Sequence, residues 1–319
     1  MSGPHFASSL PMRVAAIDIG TNTILLLVAE IFPDGRVNPV LELQEIPRLG
    51  QSVDARRRLS QEAIQRSTNI IERYAHTARS AGAVRIAACG TSALRDAANR
   101  DQFIRLVAER TGITVKVLSG REEAALTYAG AVADLLPSDS QEPCAVLDIG
   151  GGSTELAFGQ GSKIESAGSI DIGAVRLTER YFSNQPAPSE VISQAQAIVR
   201  EALVTVKGTR DGRRLVAVAG TPVTLASILL ELPGYDPVAS HGATLSRAAL
   251  RALLAKLQTL SVPEIARIPQ VEPGREDVLL AGALILDEVM DKLSVGEILV
   301  SARGLRYGIA AAEGIGSQK

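Results

Sequence analysis

The sequence predicts an α/β protein made of two related halves, each built on a mixed sheet flanked by helices. Three observations predict it. The chain says nearly the same thing twice, 130 positions apart, as AAIDIGTNT at Ala15–Thr23 and AVLDIGGGS at Ala145–Ser153. Strand-like runs lead each half, and helical and strand-like segments then alternate. At 319 residues the chain is long enough for two domains with substantial cores. The halves are placed at 12–124, joined by a returning helix at about 303–319, and at 125–302.

Strands are expected at Val14–Ile17, Ile24–Ile31 and Val37–Glu45, the last two joined by the turn Pro33-Asp34-Gly35. Gln61–Ala81 reads as a helix capped by Ser60, with Ile64, Ile71, Tyr74 and Ala78 on one face. Val84–Cys89 returns to strand, Gly90–Ser92 is a tight loop, and Ala93–Arg110 reads as mostly helical. Thr114–Leu118 is strand-like, and Ser119-Gly120-Arg121-Glu122 is a capping box opening the helix that carries Glu123. Beyond a loop at Pro137–Pro143 the pattern restarts, with strands at Thr154–Phe158 and Lys163–Ile170 and helices near Ala174–Phe182 and Ser189–Val206. Arg214–Ala219 is strand-like, and Gly220-Thr221-Pro222 is a third strand-to-helix turn. Helices at Arg247–Leu257 and Glu276–Lys292, a strand at Glu297–Val300 and a helix from Arg303 complete the order.

Composition narrows the function. Aromatic residues are 3% and Trp is absent, so base stacking is poorly provisioned. The formal net charge is −2, so no global basic field advertises nucleic acid or a membrane. Two cysteines, Cys89 and Cys144, give neither a disulfide framework nor a zinc spacing. Met1–Arg13 lacks the pattern of a signal peptide, and the apolar run Ile24–Phe32 is too short to span a bilayer. A cytoplasmic protein is expected.

The chemistry sits at the repeats. A strand that stops at a carboxylate and turns on glycine exposes oriented backbone amides with little side chain in the way, which makes a phosphate cradle. The nearby Asp can hold a hydrated magnesium ion against a bound phosphate. Two such cradles facing each other across a cleft predict a phosphate-rich target. Hydrolysis of a phosphoanhydride needs that charge neutralised and a water aligned by a base. His5, His76 and His241 are the only histidines and none lies beside a glycine-rich turn, so the base is expected to be Asp or Glu. Glu122 suits the helix cap, which leaves Glu123 for chemistry, although dipole stabilisation explains a glutamate at a helix start equally well.

Arg95 has the reach for a bidentate phosphate clamp; a solvated partner of Asp96 is the plain alternative. Cys89 to Arg95 also spells a Cys-x5-Arg phosphatase loop, but it lacks the accompanying histidine, glycine and hydroxyl, and a buried thiol ending a strand is preferred. The runs Arg56-Arg57-Arg58 and Arg210/Arg213/Arg214 read as solvated loops, with tracking of a long anion as the alternative.

These residues carry a family likeness. The blocks DIGTNT (18–23), GTSALR (90–95), SGREEA (119–124) and DIGGGSTEL (148–156), in that order, resemble the exopolyphosphatase / guanosine pentaphosphate phosphohydrolase family. The likeness continues through Gly220-Thr221, PGR (273–275) and SARGLRYG (301–308). The cradles alone resemble the wider actin / sugar-kinase / Hsp70 superfamily.

The resemblance implies two ribonuclease-H-like (actin-like) domains with the active site in the interdomain cleft. It implies Glu123 as the catalytic glutamate and Arg95 as a site residue. It also implies Asp148 and Glu155 in magnesium binding and catalysis, and the cradle reading adds Asp18 as a third magnesium-holding carboxylate. Phosphate binding falls to Gly20, Thr21, Asn22 and Thr23 in the first loop, and to Gly150, Gly151, Gly152, Ser153 and Thr154 in the second. The chain looks like the short two-domain form.

The expected activity is magnesium-dependent hydrolysis of terminal phosphates from inorganic polyphosphate, with manganese as the alternative ion. Guanosine pentaphosphate is the alternative substrate. A small-molecule kinase and a non-catalytic phosphate or nucleotide sensor are the remoter readings. Neither nucleic acid nor membrane is expected as a partner, and a homodimer is left open.

Overall fold

The first strand–Asp–Gly repeat becomes the middle strand of the first sheet. The computed structural model describes residues 10–137, 139–206 and 213–315. The expectations for His5, Arg210 and residues 316–319 of the last helix lie outside these spans.

The first half runs β1 (Met12–Ile19), β2 (Ile24–Ile31), β3 (Val37–Glu45), α1 (Val53–Arg56), α2 (Gln61–Ser80), β4 (Arg85–Gly90), α3 (Ser92–Asp96), α4 (Arg100–Thr111), β5 (Val115–Val117) and α5 (Gly120–Val132). The second opens with β6 (Pro143–Ile149), β7 (Thr154–Gln160), β8 (Lys163–Ile170), α6 (Ala174–Tyr181), α7 (Ser189–Leu203), β9 (Arg214–Val218) and α8 (Gly220–Leu229). It continues through α9 (Pro237–Ser240), β10 (Thr244–Ser246), α10 (Arg247–Leu257), α11 (Val262–Ile265), α12 (Leu279–Leu293), β11 (Glu297–Val300) and α13 (Leu305–Ile315).

The duplication is one of topology. The first sheet has the order β3-β2-β1-β4-β5 and the second β8-β7-β6-β9-β11-β10. In each, a hairpin partner lies antiparallel on one side of the central strand and a crossover strand lies parallel on the other. The second sheet adds β10 as an antiparallel edge.

Alternation along β1 assigns its two faces. Ala15, Ile17 and Ile19 pack toward Ile64, Ile71 and Tyr74 of α2 and Phe103 of α4. Val14 and Ala16 pack toward Leu305, Ile309 and Ala310 of α13. On the second sheet, Val146, Ala157, Val216 and Val218 take Ala124, Tyr128 and Ala131 of α5. Leu147, Ile149 and Phe158 look into the larger core with α12. Helices α5 and α13 cross between the sheets where glycine lets their backbones touch. A Cβ at Gly308 would lie 1.9 Å from the Leu126 carbonyl oxygen.

Two expectations change. The helix expected over Ala93–Arg110 is broken between α3 and α4, where Ala97 is extended. Asn99 causes the break by holding a distant turn: its Oδ1 accepts from Leu59 N at 2.8 Å and its Nδ2 donates to Leu59 O at 3.1 Å. Arg213 is not a solvated loop residue but is buried, stacked 4.8 Å over the Phe158 ring. Arg56, Arg57 and Arg58 do stay exposed. Among the described residues no helix is long and apolar enough to cross a membrane.

Candidate active site

Both repeats end at one cleft. β1 and β6 each end one residue past their Asp and turn through a loop into a hairpin, so Gly20–Thr23 and Gly150–Ser153 face each other as its walls. The cleft encloses about 1120 Å³ of non-atom space, open mouth included. Asp18, Glu123 and Asp148 line it together with the two loops. Thr154, Glu155 and Arg95 lie behind that wall.

The loops are built alike. Gly20 N donates to Thr23 O at 2.9 Å, which closes the first turn and spends that amide inside the loop. Thr21 and Asn22 are fixed by neighbours: Gly50 N donates to Thr21 O at 2.8 Å and Arg48 N to Asn22 O at 3.0 Å. The glycine triad has a second use beyond access for a ligand. A Cβ on Gly151 would sit 2.9 Å from Thr21 Cβ, and one on Gly152 would sit 2.5 Å from Ser92 Oγ. The triad therefore lets the two halves close on each other. Thr154 does not present its hydroxyl to the cleft, because Oγ1 donates to Ile172 O at 2.6 Å.

Ser119 caps α5 as expected. Its Oγ accepts from Glu122 N at 3.2 Å, while Glu122 Oε2 accepts from Ser119 N at 2.9 Å. With Glu122 held there, the next residue, Glu123, turns inward and is only 6% exposed. Hydrogen bonds from Ser119, and then Lys116, hold the Glu122 carboxyl down to about 2. Burial pushes Glu123 the other way, up from the ordinary glutamate value, against the pull of Arg95. One capping box thus separates a surface carboxylate from a cleft carboxylate.

Protein groups surround the Arg95 guanidinium. It pairs with Glu123, donates to Ser153 Oγ at 3.0 Å and to Leu118 O at 3.1 Å, and lies 3.5 Å from Glu155 Oε1. It fixes Glu123 from behind.

Glu123 and Glu155 share the Arg95 guanidinium, and Asp18 and Asp148 lie close enough to feel the Glu123 charge. Asp148 is pushed up to about 7 by burial and then by the charge of Glu123. Asp18 and Glu155 are raised by burial, then by Glu123 and Asp148. Asp148 Oδ2 accepts from Thr127 Oγ1 at 3.3 Å, and Glu155 Oε1 from Ser169 Oγ at 2.7 Å. Asp18 Oδ1 and Glu155 Oε2 are buried without a hydrogen-bond partner. Orphaned carboxylate oxygens beside excess negative charge fit a hard divalent cation. Among the described residues no three His, Cys, Asp or Glu side chains come close enough to ligate one ion directly, so such an ion would be held largely through its waters. Cys89 contributes no nucleophile: burial, then the Asp18 charge, pushes its thiol up to about 12.

A sequence profile of the Ppx/GppA phosphatase family matches residues 27–313. The chain belongs to that family. It is 36% identical to Exopolyphosphatase 2 of Mycobacterium tuberculosis over 313 residues, which cover 93% of this chain and 97% of that protein. The crystal structure of an exopolyphosphatase-like protein superimposes with a TM-score of 0.91 at 31% identity, covering 98% of this chain and all of the other. The Ppx/GppA family member of Aquifex aeolicus gives 0.82 at 30% identity, over 97% and 99%. Membership makes the chain a hydrolase with the actin-like two-sheet fold and sets the kinase reading aside.

The Ppx/GppA cleft also holds residues to which sequence reasoning gave no task. Arg275 lies against the backbone of the third turn, where a Cβ on Gly220 would collide with its guanidinium at 1.7 Å. Its Nε donates to Glu272 Oε2 at 2.9 Å, and it lies 5.7 Å from the centroid of the half-buried Tyr235. Gln44 reaches across from β3 to Glu272 at 2.5 Å. Arg306 and Tyr235 line the same cleft. The blocks containing Arg275 and Arg306 were legible as family signatures. Their convergence with Gln44 and Tyr235 depends on chain folding over more than 200 positions, as the Gln44–Glu272 separation of 228 shows.

Proposed function

We propose that this chain is a magnesium-dependent exopolyphosphatase, removing terminal phosphates from inorganic polyphosphate by direct attack of water. The observation that carries it is the placement of Glu123, a buried carboxylate in the wall between two phosphate loops, fixed from behind by Arg95. The amides of Thr21–Thr23 and Gly150–Ser153 bind the terminal phosphate oxygens. Glu123 accepts a proton from water as the water oxygen bonds to the terminal phosphorus, and the bridging P–O bond breaks, leaving the shortened chain. Its raised pKa makes it a stronger base than a surface glutamate.

Asp18, Asp148 and Glu155 would hold magnesium, which supplies charge neutralisation on the phosphate oxygens when bound. No covalent intermediate is needed. The name of the M. tuberculosis relative supports polyphosphate as substrate. One observation favours guanosine pentaphosphate as a second reading: Tyr235 and Arg275 supply the flat face that a composition with 3% aromatics had not promised.

The test is phosphate release by the wild-type chain with magnesium from short polyphosphate, long polyphosphate and guanosine pentaphosphate. Faster release from polyphosphate upholds the proposal. Faster release from the nucleotide moves the second reading to the front, and release from neither leaves a sensor.

A further inference from the structure

Arg306 is a cleft residue to which the reaction above gives no task. It stands at the start of α13, lines the cleft and is 9% exposed. A guanidinium carries five N–H donors and keeps its charge in a protein, so a buried one needs acceptors. Arg95 shows what saturation looks like, with Leu118 O, Glu123, Ser153 and Glu155 around it. Arg306 differs. Among the described residues its one hydrogen-bond acceptor is Glu42 of β3, which meets Nη2. Its other close neighbour is the Tyr307 ring, 5.8 Å away at the centroid, which offers only a π face.

The grip on Arg306 is itself built. Glu42 uses one oxygen on Arg306, and its other oxygen accepts from the Tyr307 hydroxyl at 2.8 Å. That arrangement fixes one edge of the guanidinium and leaves the remaining N–H groups to the cavity the residue lines. The charge is also well situated. Arg306 acts electrostatically on Asp18 among the carboxylates and on Tyr235 on the far wall. The two loops line the same cleft, so a chain of phosphates held by them would extend past Arg306.

We propose that Arg306 binds the non-reacting phosphates of the substrate, and that Glu42 and Tyr307 are positioning residues that hold its guanidinium. The proposal rests on the reading of the cleft as a polyphosphate site. Its rival is a plain ion pair that ties α13 to β3.

Binding of tripolyphosphate with magnesium is measured by titration calorimetry in a Glu123→Gln background, which slows turnover. Arg306→Gln, Arg306→Lys and Glu42→Gln are added one at a time, with thermal unfolding of each. Loss of a charged hydrogen bond to phosphate predicts binding weakened about tenfold or more in Arg306→Gln. The salt dependence of binding flattens in the same variant. Arg306→Lys recovers part of the affinity as a point charge. Glu42→Gln weakens binding less than Arg306→Gln does. Unchanged affinity and salt dependence in Arg306→Gln, with a lowered unfolding temperature, would overturn the proposal in favour of the ion pair. The calorimetry separates the two claims. If wild type releases no phosphate while the background variant binds tripolyphosphate, the hydrolase reading falls and Arg306 is still decided by the titration. If the background variant does not bind it, both fall.

Discussion

The two phosphate loops share a backbone and differ in what they carry. A Cβ on Gly20 or on Gly150 would sit 2.9 Å from the carbonyl oxygen three residues on, Thr23 or Ser153. In each hairpin the Asp pairs with the residue seven positions later, Asp18 with Leu25 and Asp148 with Glu155. At that register the first copy has a leucine and the second a carboxylate. The first loop then contributes bulk through Thr21, whereas the second contributes room through Gly151 and Gly152. Duplication accounts for the cradle, and the additional carboxylate belongs to one copy of it.

Erasing that difference tests it most severely. Glu155→Leu gives the second hairpin the first one's residue, and the magnesium concentration needed for half-maximal phosphate release is expected to rise about 10–100-fold. An unchanged magnesium requirement would detach Glu155 from the ion. Steric complementarity between the loops comes next. Gly152→Ala crowds Ser92 and should cost about 1–3 kcal/mol in urea unfolding. Ser92→Ala removes the hydroxyl that Gly152→Ala crowds, so the double variant should be more stable than the sum of the singles. Strict additivity would show that the two halves do not press on each other there.

The carboxylates predict a pH signature. Asp148, raised to about 7, Asp18, Glu123 and Glu155 all bind protons more tightly folded than unfolded. Their contribution to stability is present below the unfolded carboxylate range, about 4, and is lost as pH rises through their folded values. The unfolding temperature of the magnesium-free chain should therefore fall between about pH 4 and pH 7. Magnesium should restore more of it at pH 8 than at pH 5. A flat profile, or an equal magnesium effect at both values, would mean that the charges are compensated some other way. The smallest effect is a control remote from both loops. Ser60 Oγ accepts from Ala63 N at 3.1 Å, so Ser60→Ala should cost about 1 kcal/mol in the same urea experiment. Its turnover should match wild type.

What was legible in the sequence was local. The repeat, the hairpins and the Ser119 capping box depend on residues within a few positions of one another, and the structure has them where spacing placed them. What was not legible depends on distant partners. The break after α3 is made by Asn99 binding Leu59, 40 positions away. The contacts of Arg95 with Glu123 and Ser153 join residues 28 and 58 positions apart. The Arg306–Glu42 contact spans 264 positions, and no periodicity reports such a pairing. The short strand β10 passed unnoticed because three residues, Thr244–Ser246, carry too little pattern.

The proposed reaction turns on one carboxylate. Phosphate release from polyphosphate with magnesium, measured for wild type and Glu123→Gln with the unfolding temperature of each, tests it most directly. Loss of the base should slow release by about 10²–10⁴ while the fold holds. Turnover close to wild type in Glu123→Gln would contradict the account and pass the water-activating role to another group.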